Sequence, residues 1–286
     1  MAGSEMMDII ITGANGQLGK ELVRKLGRSH SVIGLGKKDL DITDYKQVAD
    51  VISHYQPQYI IHTAAFTSVD QCEMDRKKAF EVNALGTGCV AQAADKIHAR
   101  MIYISTDYVF DGKKQSPYSE DDDPNPQSIY GISKLLGERL ARLFNNATII
   151  RTSWLFGHDG ANFVKTMLKN AKKGKEIMVV NDQTGCPTYV HDLADTIIHL
   201  LDKKNGIYHV CNSGPCTWNT FAKAILKEAG FDSDLIIPVT TKEYGSSCPR
   251  PLYSVMDQNA LLKEGIKPLR HWKEALKEFL RREMDK

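Results

Sequence analysis

The chain has 286 residues, 37 basic and 35 acidic, for a net charge of +2. That length can bury a substantial core without disulfide or metal staples, as one large domain or as a core with a smaller lobe. The even balance leaves no broad basic surface, which sets aside nucleic acid as a partner, and no apolar run is long enough to span a bilayer.

Met1-Ala2-Gly3-Ser4 reads as an appended segment, not a signal peptide, and is set aside. Residues 7–12, centred on Ile9-Ile10-Ile11, form an apolar run that predicts a buried strand. Thr12-Gly13-Ala14-Asn15-Gly16-Gln17-Leu18-Gly19 follows, and then a helical pattern over 18–28. Glycine lets backbone turn tightly or approach a ligand. A helix N-terminus offers free N–H groups and a partial positive charge to a pyrophosphate. Between an apolar strand and a helix, G-x-x-G-x-x-G is a variant of the dinucleotide-binding fingerprint.

Further strands are predicted at 31–35, 58–63, 100–105 and 147–151, with helices near 44–55, 74–98 and 130–144. This β-α alternation implies an α/β protein with a Rossmann-type, doubly wound parallel sheet. Ligands of such sheets bind outside the carboxyl ends of the strands. Gly13, then Ala64, Ala65, Phe66 and Thr67, then Thr106 follow three different strand ends and so share one crevice. The second strand ends at Leu35, where NAD enzymes place an acidic residue on the ribose. Here Gly36, Lys37 and Lys38 follow, with Asp39 and Asp41 nearby. A lysine without a repelling carboxylate favours a 2′-phosphate, so NADPH is expected over NADH, with NADH possible as a second cofactor.

The stretch 107–129 is rich in Pro, Asp, Ser and Gly and shows no clear element. Long loops of this kind are often functional. It is expected to cover the substrate and to deliver Tyr130 at a helix start. Asp121-Asp122-Asp123 within it reads as solvated loop acid rather than a metal cluster.

Tyr130 and Lys134 stand as Y-x-x-x-K, four residues apart on one helix face, with Thr106 just upstream. A phenol is a poor acid-base group at neutral pH, and a neighbouring ammonium is expected to lower its pKa. The group is suited to exchange a proton with a carbonyl or alcohol oxygen, and a second hydroxyl can meet the charge that hydride transfer creates on that oxygen.

After Arg151 a helix is predicted near 161–173, a strand at 177–180, a helix near 191–202, a strand near 207–211 and a helix near 217–229. An irregular stretch, 238–251, precedes a C-terminal helix at 271–283. The expected division is 1–155 as NAD(P)-binding core and 156–286 mainly as a smaller substrate-binding lobe, with 176–212 returning partly to the core. The basic run 165–175 reads as a solvated helix face and turn, and His62, His191 and His209 as structural. The six cysteines, at 72, 89, 186, 211, 216 and 248, form no C-x-x-C and no zinc spacing with histidine. They read as reduced thiols of a cytoplasmic protein, with Cys186 in packing.

Eight segments carry a closer likeness: ITGANGQLGKEL at 11–22, DLDITD at 39–44, HTAAFTSVDQCE at 62–73, ISTDYVFDG at 104–112, YGISKLLGE at 130–138, RTSWLFG at 151–157, NFVKTML at 162–168 and VNDQTGCPT at 180–188. With these the chain resembles the dTDP-4-dehydrorhamnose reductase family of extended short-chain dehydrogenases/reductases over nearly its whole length. The resemblance implies NADPH-dependent reduction of the 4-keto group of dTDP-4-dehydro-β-L-rhamnose to dTDP-L-rhamnose, the last step of dTDP-rhamnose synthesis. It implies Tyr130 as proton donor, Lys134 on the nicotinamide ribose and Thr106 on the reacting oxygen. It also implies Asp107 and Trp154 against the nucleotide-sugar, and Gly16, Gln17 and Leu18, with Gly13, Asn15 and Gly19, around the pyrophosphate. Lys37, Asp41 and Ile42 then belong to the adenine side, Ala64, Ala65, Phe66 and Thr67 to the nicotinamide end, and Asn83 to a supporting place. Some relatives dimerise through magnesium held by carboxylates. Glu21 matches one of these but the second falls near His191, so no metal ligand is assigned, and a monomer or homodimer is expected.

Three other functions stay open at this point. A 4,6-dehydratase needs a glutamate where Tyr108 stands. An epimerase needs room to rotate a keto intermediate. A regulatory subunit like methionine adenosyltransferase β need not keep Thr106, Tyr130 and Lys134 together.

Overall fold

The computed structural model describes residues 6–144, 146–246 and 248–284, so Met1–Ser4 lie outside the described residues. Its centre is a six-stranded parallel sheet. The strands are β1 (Asp8–Thr12), β2 (Ser31–Leu35), β3 (Tyr59–His62), β4 (Arg100–Thr106), β5 (Ala147–Thr152) and an edge strand, Ile207–His209. Their order is β2-β1-β3-β4-β5-edge.

The isoleucine runs explain why the sheet has helices on both faces. Side chains alternate across a strand. Ile9 and Ile11 enter one core with Leu18, Leu22 and Leu26 of helix α1 (Gln17–Leu26) and Leu193 and Ile197 of the helix Val190–Leu200. Ile10 enters the opposite core with Val48 and Ile52 of helix α2 (Tyr45–Tyr55) and Val90, Ala91 and Ala94 of the helix Thr87–Lys96. Asp44 caps α2 by accepting from the Gln47 amide at 3.0 Å. Ser128 caps the helix Ile129–Ala141 through the Gly131 amide at 3.1 Å.

The second half is shared between two bodies. Val190–Leu200 covers the first core, and the edge strand pairs with β5, Tyr208 opposite Ile150. The strand Ile177–Val180 instead pairs in parallel with Ile236–Val239. That pair joins the helices Phe163–Ala171, Trp218–Glu228 and Trp272–Met284 around a separate aromatic core containing Phe156, Tyr189, Phe221, Trp272 and Phe279. The stretch 238–251 is less irregular than expected, because Ile236–Val239 runs into it and a helical turn, Thr241–Tyr244, follows.

Two expectations change. The single helix predicted over 74–98 is broken into Val69–Met74, Arg76–Phe80, a π-helical turn at Glu81–Gly86 and Thr87–Lys96. Local periodicity does not reveal an i→i+5 turn. The stretch 107–129, expected to show no clear element, begins with a helical turn at Asp107–Val109 and is fastened further on. Tyr118 is tied by backbone hydrogen bonds to Val255 and Asp257, both 2.8 Å, and its ring stacks on Phe110 at 4.2 Å. Among the described residues no helix is long and apolar enough to cross a membrane.

One buried ion pair fastens the Ile129–Ala141 helix to the sheet. Arg151 donates to Glu138 through Nε at 3.0 Å and Nη2 at 2.8 Å, and the Ser105 hydroxyl donates to the same carboxylate at 2.5 Å. Both side chains are almost fully buried. Removing one partner of such a pair strands a buried charge, whereas removing both does not. Arg151→Met should therefore cost about 3–5 kcal/mol. Adding Glu138→Gln should recover part of that loss. Urea unfolding of the single and double variants checks this, and equal losses in both would contradict it.

Candidate active site

The order β2-β1-β3 reverses direction at β1, and a crevice opens where the chain leaves β1 and β3 to opposite sides. A cleft of about 890 Å³ lies there. It is lined by Gly13, Asn15, Gly16, Gln17, Leu18, Gly19, Lys37, Asp41, Ile42, Ala64, Ala65, Phe66, Thr67, Thr106, Asp107, Tyr130, Lys134 and Trp154. These are all the site residues expected from the sequence except Asn83.

The glycine loop is set by steric demand. Gly13 has φ +69°, and a Cβ there would stand 2.6 Å from the Ala64 amide nitrogen. A Cβ on Gly19 would stand 2.3 Å from the Gly13 carbonyl oxygen. Helix α1 is thereby drawn against β1 with its first turn facing the cleft. Gly16, the residue before the helix, offers no side-chain cap. The N–H groups of that turn are free for an anion, and the cradle fits a dinucleotide pyrophosphate.

At the end of β2, the position a Gly36 Cβ would take is 2.1 Å from the Asn15 amide nitrogen. Both nearby carboxylates are committed to their own turns. Asp39 accepts from the Gly36 amide at 2.8 Å, and Asp41 accepts from the Thr43 amide and hydroxyl at 3.0 and 2.7 Å. Lys37 lines the cleft beside them.

Asn83 is fully buried in the π-helical turn and does not line the cleft. Its amide accepts from the Phe66 N–H at 2.7 Å and donates to the Phe66 carbonyl and the Ser133 hydroxyl, both 3.0 Å. These contacts make it a bridge that holds the Phe66 backbone from behind. His62 is held between Thr12 and Thr87 at 2.7 and 3.2 Å, and burial drives its pKa down to about 3, so it stays neutral.

Tyr130 is the second residue of its helix and is edge-on to Tyr108, with ring centroids 5.5 Å apart. Burial pushes its pKa well above the ordinary value, and a hydrogen bond with Thr106 opposes this. The expected pull from Lys134 is not the controlling effect. The Lys134 ammonium donates to the Ile104 carbonyl at 2.6 Å and lies 4.1 Å from the Tyr103 ring centroid. Burial lowers its own pKa to about 7, against an upward pull from Glu138 one helical turn away. Tyr130 is therefore a neutral O–H donor at physiological pH, which suits proton delivery to a carbonyl that is being reduced. Thr106 also donates to Asp107 at 3.0 Å, and burial raises the Asp107 carboxyl to about pKa 6.

Sequence reading missed Lys78, Ser153 and Trp218, which also line the cleft. Trp218 comes from the smaller lobe and approaches the site only through tertiary docking, so no local pattern marks it.

The magnesium position implied by resemblance does not fit this chain. Glu21 accepts from Arg24, lies 2.8 Å from His191 Nδ1 and has the Lys25 ammonium at 3.9 Å. Hydrogen bonds from His191 and Arg24 outweigh burial and bring its pKa to about 2. Its charge is balanced by protein cations that would repel a dication. Among the described residues a second trio, Glu120, His209 and Asp257, gathers within 4.8 Å. The Arg151 guanidinium stands 3.5 Å from His209, and Glu120 already accepts from the His209 and Ala260 amides.

The glycine cradle, the switch-point cleft and the Thr106–Tyr130–Lys134 group together define an extended short-chain dehydrogenase/reductase, a nicotinamide-dependent oxidoreductase. Residues 7–284 match the family described as RmlD substrate binding domain, and the chain belongs to that family. It is 50% identical to the spore coat polysaccharide biosynthesis protein SpsK of Bacillus subtilis (strain 168), covering 96% of this chain and 97% of that protein. It is 40% identical to the dTDP-4-dehydrorhamnose reductase of Aggregatibacter actinomycetemcomitans, covering 95% and 98%. The crystal structure of dTDP-4-dehydrorhamnose reductase from Bacillus anthracis str. Ames in complex with NADP superposes with a TM-score of 0.95 at 44% identity, covering 97% and 100%.

Two variants test the site. Tyr130→Phe keeps the ring and removes the donor, so turnover should fall by about 10²–10⁴-fold with cofactor affinity little changed. Near-normal turnover would remove Tyr130 from the chemistry. For Lys134, the unfolded chain holds the proton up to the ordinary value of 10.5, while the folded chain releases it near 7. Between those values the unfolded state binds more protons, so this group makes stability rise with pH. Lys134→Met should therefore melt above the unsubstituted protein at pH 6, with the margin shrinking toward pH 9. A margin independent of pH would contradict the buried, shifted lysine.

Proposed function

We propose that this protein uses NADPH to reduce the 4-keto group of dTDP-4-dehydro-β-L-rhamnose, giving dTDP-L-rhamnose. The observation that carries the reading is that Tyr130, Lys134 and Thr106, from a helix start and the end of β4, line the same cleft as the glycine cradle. The bound cofactor supplies the hydride. Tyr130 delivers the proton to the oxygen, Thr106 holds that oxygen, and Lys134, anchored on Ile104, carries the charge beside the phenol. In this reading residues 1–155, with parts of 176–212, hold the dinucleotide, while 156–286 are mainly the substrate-binding lobe, which reaches the cleft at Trp218.

A dehydratase needs a carboxylate at position 108. There Tyr108 is held by Arg250 at 3.3 Å and its pKa is raised by burial to about 12, so it supplies no base. An oxidation assay of NADPH with dTDP-4-keto-6-deoxy-L-lyxo-hexose, with product analysis, tests the reading. Turnover of dTDP-glucose without activity on the keto sugar would overturn it.

The cofactor preference follows from Lys37 at the cleft and from the committed carboxylates of Asp39 and Asp41. Lys37→Ala should shift the ratio of kcat/KM values toward NADH by about tenfold, the size of one charge-assisted contact. An unchanged ratio would show that Lys37 does not read the 2′-phosphate.

A further inference from the structure

Trp154 leaves β5 and enters the cleft with φ +47°. The left-handed region is unfavourable for a bulky side chain, and such outliers persist only where the surroundings impose them. Here the surroundings are specific. The indole lies flat on Trp218, with ring centroids 3.6 Å apart and planes 9° from parallel. Trp218 is backed in turn by Phe163, at 4.5 Å. Beside the Trp154 ring is Gly185, where a Cβ would come within 2.7–2.9 Å of Cε2, Cζ2 and Nε1.

Gly185 and Trp218 belong to one support. The strand Thr184–Gly185 pairs antiparallel with Cys216–Thr217, and Trp218 follows directly as the first residue of its helix. That ribbon touches Trp154 through a glycine on one strand and presents an indole from the end of the other. The Trp154 carbonyl is also fixed, accepting from the Thr188 amide at 3.1 Å. Backbone and ring are thus both held by the smaller lobe, although Trp154 follows a core strand.

We propose that Trp218 is a positioning residue for the nucleotide-sugar: it holds Trp154 in its left-handed conformation as a wall of the cleft. The proposal rests on the reductase reading for the identity of the ligand, and on the stacked pair for its mechanism. Trp218 acts on the ligand through Trp154, and its ring contacts, Trp154, Phe163 and Phe221, include none of the cradle glycines Gly13, Gly16 and Gly19.

The test combines a spectroscopic signature with two affinities. Two indoles this close couple their transitions, so the protein should show a near-ultraviolet circular dichroism couplet that both Trp154→Phe and Trp218→Phe abolish. Trp218→Ala should weaken binding of dTDP-L-rhamnose, measured by calorimetry, by about 3- to 10-fold, the range of one aromatic pair, and leave NADPH affinity unchanged. Trp218→Phe keeps a stacking ring and should restore most of the affinity, which also covers the case of a poorly folded alanine variant. Normal dTDP-L-rhamnose affinity in Trp218→Ala, or an equal loss of NADPH affinity, would overturn the proposal. Failure of the unsubstituted protein to bind dTDP-L-rhamnose or oxidise NADPH with the keto sugar would instead overturn the reductase reading, and this role with it.

Discussion

The Glu138–Arg151 ion pair is the constraint on which the placement of Tyr130 and Lys134 in the cleft depends. Tyr130, Lys134 and Glu138 are spaced four residues apart, so they climb one face of the same helix. The lowest rung is locked by Arg151 of β5 and Ser105 of β4. The middle rung reaches the Ile104 carbonyl, and the top rung meets Thr106. Three successive residues of β4 thus engage three successive turns of the helix. A helix that slid along the sheet would break all three contacts at once. A buried ion pair is weak evidence for net stability. What this one provides is register.

The same rungs explain the electrostatics. Burial acts in opposite directions on the two titratable groups: it keeps the proton on the phenol and pulls it from the ammonium. Glu138 is the nearby negative charge that counters the second effect. The residue that sets the register therefore also favours charge on Lys134, although Glu138 itself does not line the cleft.

The parallel sheet was legible because apolar runs such as Ile9-Ile10-Ile11 and Tyr59–His62 are short, separated by helical periods and followed by glycine or small residues. The strand-end rule then gathers Gly13, Ala64–Thr67 and Thr106 in one cleft. Three things were hidden. The π-helical turn has the composition of an ordinary helix, so Asn83 carried no sign of its grip on Phe66. The sign of the Tyr130 shift depends on burial, which spacing along a helix does not report. Trp218 reaches the site because two lobes dock, and Ile177–Val180 finds Ile236–Val239 across more than fifty residues of sequence. Pairings of that range are invisible to local pattern.

The π-helical turn at Glu81–Gly86 also bears on how this chain tolerates length change. A π turn holds one residue more than an α turn of the same span. Deleting a single residue there would restore regular winding and leave the helix beyond it in nearly its original phase, so Val90, Ala91 and Ala94 would keep their places in the core. What the extra residue provides is the wider turn that carries the Asn83 amide to the Phe66 backbone. A chain shortened at this point would keep its core helix and lose its hold on the loop at Phe66.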